Sequence, residues 1–502
     1  MGCPVRATGR IGGPCRASLG RVTEPNQVLP VPPADLPATL GELRAAGHRH
    51  RTVKQELRDN LLARMRTGGD RFPGIVGYDD TVLPEVERAL LAGHDMVLLG
   101  ERGQGKTRLI RSLAALLDEW TPVIAGSVLN EHPMRPLTPA SRALAESAGD
   151  DLPVAWLHRS LRYGEKLATP DTSVGDLIGD VDPIRIAQGR TLGDPETIHF
   201  GLVPRTNRGI FAINELPDLA ERIQVALLNV LEERDIQIRG YQLRLPLDLF
   251  LVASANPEDY TNRGRIITPL RDRFGAEVHT HYPLELELEL ALIRQEADPV
   301  GEVPEHVLEV LARFARAVRE SPSVDQRSGV SARFAIAAAE TVAAAALRRS
   351  GLLAAGSDQA SEAPVARIGD AVSVTSTLRG KVEFESGEEG REIEVLEHLL
   401  CTATDDTFRA RLAGLDLSGF TALVDDGRVV ETGELVSSAE LLRQVGTVPG
   451  LAKALDRLGM GDAPTPEQAA AGIEFVLEGL HLARRLGKDV TDSGRTVYGS
   501  RG

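Results

Sequence analysis

The residues Gly100, Glu101, Arg102, Gly103, Gln104, Gly105, Lys106 and Thr107 follow the spacing G-x-x-x-x-G-K-[ST]. Residue types in that pattern hold phosphates. Glycines let backbone N–H groups approach anionic oxygens, a lysine ammonium reaches β- and γ-phosphates, and a threonine hydroxyl holds Mg²⁺. The apolar run Met96–Leu99 precedes the loop and a helical pattern from Arg108 to Leu117 follows it. Such a loop needs that strand–loop–helix setting, because the helix N-terminus adds a positive dipole end. All eight residues are therefore candidates for binding a nucleotide such as ATP, with Lys106 on the phosphates and Thr107 on Mg²⁺.

Four further segments complete the chemistry that such a loop requires. Gly209 to Glu215 is an apolar strand ending in polar residues, with Asn214 where an aspartate near Mg²⁺ is usual and Glu215 where a base would activate water. An amide brings a dipole but no charge, which predicts a weaker hold on Mg²⁺ than an Asn214→Asp variant would have. The alternative reading of Asn214 is a helix N-cap. The strand Leu249–Ala253 runs into Ser254, Ala255, Asn256 and Pro257. Asn256 there can touch a γ-phosphate or position water, or simply open an Asn-Pro turn. In Pro269 to Gly275 two arginines, Arg271 and Arg273, lie on an apolar turn. An arginine delivered to a phosphoryl-transfer site is worth about 10³–10⁵ in rate; a surface ion pair is the plainer reading. Arg333 opens a helix downstream and would reach back to the nucleotide, or remain a solvated helix start.

These positions need a scaffold. The strand candidates are Met96–Leu99, Val123–Ala125, Val154–Leu157, Ile210–Ile213 and Leu249–Ala253, alternating with amphipathic helices. That alternation predicts an α/β fold with a parallel sheet covered on both faces. The chain's 502 residues suffice for about three domains. Residues 1–38 read as a disordered tail and a Pro-rich linker. Residues 39–71 read as a helical segment, with Thr52 and Gln55 as a capping box. Residues 72–283 form the α/β core, 284–349 a helical lid, 350–392 a linker and acidic segment, and 393–502 a mostly helical region. There Thr465, Pro466 and Gln468 start a helix that Gly487 ends.

Composition narrows the classes. With 42% apolar and 26% charged residues the chain reads as soluble and globular. No run approaches the roughly 18 apolar residues of a membrane span. A net charge of −15 argues against non-specific attachment to nucleic acid or anionic membranes. Cys3, Cys15 and Cys401 lack zinc-ligand spacing and read as reduced thiols of a cytoplasmic protein. His279 and His281 share a strand face without a partner acid or thiol, and read as structural.

The five elements in this order resemble an AAA+ ATPase: Walker A at Gly100–Thr107, Walker B at Ile210–Glu215, sensor 1 at Asn256, an arginine finger at Arg273 and sensor 2 at Arg333. Phe72 to Asp80 (FPGIVGYDD), SANPED, PLRDRFG and a hairpin region at 231–246 are similar to the magnesium chelatase I subunit and MoxR group. The resemblance covers about residues 72–349. It departs at Asn214, in the long stretch 120–208, and in the unmatched C-terminal region. It implies ATP and Mg²⁺, a homo-oligomeric, hexameric ring with Arg273 acting on the neighbour's nucleotide, and work on a partner protein. In this group that partner carries an integrin-like metal-binding domain. It also leaves open a magnesium chelatase motor subunit in tetrapyrrole synthesis and an ATP-gated scaffold with weak hydrolysis. An enhancer-binding transcription activator is disfavoured, since no GAFTGA sequence is present.

Overall fold

The computed structural model describes residues 30–181, 198–232, 236–238, 241–243, 245–256, 265–325, 329–355, 362–425, 428–491 and 495–500. Most of the expected N-terminal tail, with Cys3 and Cys15, lies outside the described residues, as does the Pro257–Asp259 end of SANPED.

Five strands form one all-parallel sheet: β1 (Met96–Leu99), β2 (Tyr163–Leu167), β3 (Gly209–Asn214), β4 (Leu249–Ala255) and β5 (Ala276–His279), in the order β5-β1-β4-β3-β2. The three central strands are fully buried. Their side chains alternate between two cores, as the pleat requires. Met96, Leu98, Ile210, Ala212, Phe250 and Val252 enter one core with the helices Val53–Thr67 and Val82–Ala92. Val97, Leu99, Phe211, Ile213, Leu251 and Ala253 enter the other with the helix Glu221–Glu232.

Two of the expected strands lie elsewhere. Trp120–Ile124 and Val154–His158 pair antiparallel with each other, outside the parallel sheet. Pro122 supplies the reason: it has no N–H to give, which confines its strand to an edge. Arg208 ties this pair to the sheet, donating to the Pro122 carbonyl at 2.6 Å and to Thr121 Oγ1 at 2.7 Å. The outer positions of the parallel sheet go instead to β2 and β5. Both are partly exposed and carry polar residues (Glu165 and Lys166 in one, Glu277 and His279 in the other), so neither shows an apolar run. In the 231–246 region, Ile236–Ile238 pairs antiparallel with Tyr241–Leu243.

The helix Val53–Thr67 has the expected capping box and ends on Gly68 in the left-handed conformation. It is integral to the core. Glu56 accepts two hydrogen bonds from Arg162, both at 2.6 Å, with both side chains almost fully buried. Removing one member of such a pair strands a buried charge at a cost of about 3–5 kcal/mol. Arg162→Ala is therefore expected to lower the urea midpoint of unfolding sharply, and replacing Glu56 and Arg162 together by apolar residues should recover much of the loss.

The helices Leu286–Glu296, Glu305–Glu320 and Arg333–Ala355 follow the sheet. They share one hydrophobic core with the C-terminal region, from Leu290 to Tyr498. The segment expected as a linker departs from that reading. Val365, Ala366, Ile368, Ala371, Val374, Leu378 and Val382 all enter this core, partly on the helix Val372–Leu378. Their apolar spacing outweighs the acidic residues that follow. Near the end, the helix Pro466–Leu482 starts with the Thr465–Gln468 capping box but stops before Gly487. Gly487 instead opens a strand of a three-stranded antiparallel sheet.

Candidate functional site

The loop from Gly100 to Thr107 leaves the C-terminal end of β1. Gly103 and Gly105 have φ of 75° and 77°, a backbone that side chains rarely adopt. Space imposes the same choice. A Cβ on Gly100 would lie 2.0 Å from Thr280 Oγ1, and one on Gly103 would lie 1.9 Å from Ser331 Oγ. The second contact seats the start of the Arg333–Ala355 helix directly on the phosphate-type loop.

Several side chains brace that loop from behind. The buried Gln104 accepts through its side-chain oxygen from the Glu101 N–H at 3.0 Å and from Thr280 Oγ1 at 2.8 Å, which pins the side chain behind the loop. Tyr78 donates to the Gln104 carbonyl, and Tyr282 donates to the Arg102 carbonyl at 2.7 Å. Burial pushes the Tyr78 hydroxyl up to about 12, so it remains a donor across the physiological range. Lys106 is buried and donates to the carbonyls of Gly100 and Glu101, placing its ammonium within the loop.

The parallel register brings three strand ends together, because Leu99 aligns with Ala255 and Ala253 with Ile213. Thr107, Asn214 and Ser254 meet there. The Asn214 oxygen accepts from Ser254 Oγ at 3.1 Å and lies 3.4 Å from Thr107 Oγ1. Asn214 therefore does not cap a helix. Glu215 follows with φ of 56°, a left-handed conformation uncommon outside glycine. Asn256 lies just past β4. It is buried, and its side-chain oxygen has no hydrogen-bond partner among the described residues. An orphaned buried acceptor is costly, so a ligand donor or water would relieve it. The glycine cradle, the lysine and the hydroxyl fit a nucleoside triphosphate with Mg²⁺, and the orphaned Asn256 oxygen fits a water that donates to it. Among the described residues no group of three or more His, Cys, Asp or Glu side chains is placed to hold a metal. A Mg²⁺ here would rest on Thr107, on Asn214 and on phosphate oxygens, with the phosphates supplying the charge that these two neutral side chains lack.

Two of the predicted residues stand apart. Arg333 is exposed two positions from the Ser331–Gly103 contact, on the lid side of the loop. Arg273 is exposed three residues before β5, whose first residue aligns with Met96 at the start of β1. It therefore lies toward the end of the sheet away from its own loop. Arg271 pairs with Glu277 at 3.1 Å on the surface. His279 is exposed beside Glu277, and His281 meets Thr81 Oγ1 at 2.7 Å.

Sequence reasoning missed Glu165 on β2. It accepts from the Asn214 Nδ2 at 2.7 Å and is gripped by Arg111 through two bonds of 2.8 Å. Burial opposes its ionisation, but the hydrogen bonds and charge of Arg111 outweigh this and hold the carboxyl below its usual range. The signal was faint, a single acid in the alternating run Tyr163-Gly-Glu-Lys-Leu167.

No protein-family model matches the chain. In sequence it is similar to the magnesium-chelatase subunit ChlI of Nostoc sp., 29% identical over 235 residues, which make up 45% of this chain and 59% of that protein. The magnesium-chelatase 38 kDa subunit of Rhodobacter capsulatus is 32% identical over 235 residues, 45% of this chain and 62% of that protein. The chain thus spans about three-fifths of the length of the curated relatives it matches. Among solved structures, the complex between subunits BchI and BchD of magnesium chelatase aligns over 65% of this chain and 98% of its own, at 24% identity and a TM-score of 0.34. The RuvB Holliday junction branch migration motor of Thermotoga maritima aligns over 88% and 96%, at 13% identity and a TM-score of 0.30. Among the described residues no helix is long and apolar enough to cross a membrane.

Proposed function

We propose that this chain, which has an AAA+ fold and is related in sequence to magnesium-chelatase I subunits, is an ATP-hydrolysing motor that works on a partner protein. The observation that carries the reading is the convergence of Lys106, Thr107, Asn214, Glu215 and Asn256 at three adjoining strand ends, with the lid seated on Gly103. Lys106 would hold the β- and γ-phosphates, and Thr107 and Asn214 would face the metal. Mg²⁺, when bound, neutralises charge on the phosphate oxygens. Glu215 would take a proton from the attacking water, and Asn256 would position that water or the γ-phosphate. Arg273 sits just before β5, toward the end of the sheet away from its own loop, which favours assembly into a ring in which it reaches the neighbour's nucleotide. Because Ser331 rests on Gly103, a change at the loop would be passed to the lid, with Arg333 near the nucleotide.

The second reading is a motor subunit of a magnesium chelatase, favoured by the 29–32% identity to such subunits. In either case the partner, an integrin-like metal-binding-domain protein in the first reading, supplies the chemistry beyond ATP. An ATP-gated scaffold with slow turnover would be told apart by the hydrolysis rate alone.

Direct titration with ATP tests the reading. Losing a buried, charge-assisted contact worth about 1.5–3 kcal/mol, Lys106→Ala should bind ATP roughly 10- to 100-fold more weakly than the parent chain. Equal affinities in the two proteins would refute the nucleotide site.

A further inference from the structure

Asn214 is an amide where a carboxylate would face Mg²⁺ from either oxygen. An amide has two unlike ends. With its oxygen toward Thr107 it favours a cation, and with its NH₂ group there it repels one. Something must therefore set its orientation.

Glu165 is placed to do so. Its Oε1 accepts from Asn214 Nδ2 at 2.7 Å and from Arg111 Nη2 at 2.8 Å. Its Oε2 accepts from Arg111 Nε at 2.8 Å and from the Tyr163 hydroxyl at 3.0 Å. Four donors converge on this carboxylate, so it has no hydrogen to give, and only the NH₂ end of Asn214 can bond to it. The amide oxygen is thereby turned to Ser254 and Thr107, whose hydroxyls can donate. The contact bridges the sheet, since Leu167 on β2 aligns with Asn214 on β3.

We propose that Glu165 is a positioning residue that fixes the Asn214 amide with its oxygen toward the metal position, so that Asn214 and Glu165 together serve where one aspartate would. The inference rests on the ATPase reading above. An aspartate at 214 has two alike oxygens and no orientation to fix, so Glu165 should matter to Mg²⁺ binding only while residue 214 is an amide.

The experiment titrates Mg²⁺ into the full chain with a fluorescent ATP analogue and reads binding, not turnover. Glu165→Gln can donate as well as accept, so it frees the amide to turn; the Mg²⁺ midpoint should rise about tenfold, as for other residues that orient a metal ligand. Glu165→Ala, which leaves Asn214 no acceptor, should shift it at least as far. Analogue affinity in EDTA should stay the same in both, which also verifies an intact loop. In the Asn214→Asp background Glu165→Gln should no longer raise the midpoint. An equal rise in both backgrounds, or no rise in the parent, overturns the inference while leaving the ATPase reading in place. If the parent chain and Lys106→Ala bind the analogue alike, the ATPase reading fails and the inference falls with it.

Discussion

Arg273→Ala is expected to cut ATP turnover by about 10³–10⁵, the range of an arginine delivered to a phosphoryl-transfer site, with little change in ATP affinity. The split follows from geometry. Arg273 precedes β5, and β5 runs parallel to β1 from its start, so the length of the sheet separates Arg273 from the loop that leaves the far end of β1. In the proposed ring its charge would act on a neighbour's nucleotide rather than on its own. Mixing supplies the measurement. Arg273→Ala and Lys106→Ala subunits, each inactive alone, should regain part of the activity together, because some interfaces pair an intact loop with an intact arginine. No recovery, in samples where native mass spectrometry detects mixed assemblies, would rule out action across an interface.

Glu215→Gln should lower turnover by about 10²–10⁴, the usual worth of a positioned general base, while ATP still binds. Glu215 directly follows the Asn214 cluster, and its N–H lies 3.4 Å from Ser254 Oγ. Its left-handed backbone is the kind of strained conformation that concentrates at functional sites. Glutamine keeps the size and shape of the side chain and removes its basicity, so the loss should fall on the chemical step. Single-turnover hydrolysis alongside equilibrium ATP binding separates the two. A variant that hydrolyses ATP at the parental rate would remove Glu215 from the mechanism.

The sequence alone determined the features that rest on local pattern. Gly100–Thr107 between an apolar run and a helix, the buried runs ending at Asn214 and Ala253, and the Thr52 and Thr465 capping boxes all follow from backbone sterics, burial and hydrogen bonds between near neighbours. The tertiary structure decided what depends on distant partners. β2 and β5 are half-exposed edges, so their sequences carry no apolar run, and only pairing with β3 and β1 makes them strands of this sheet. Residues 365–382 follow a small, polar stretch and precede an acidic one, yet their apolar side chains find a core supplied by helices on both sides in the sequence. Asn214 and Glu165 are 49 residues apart, and no local rule joins them. Their contact exists because the β2–β3 register sets one strand's carboxylate beside the other's amide. A single-residue shift of that register would turn Glu165 to the other face of the sheet, since side chains alternate along a strand.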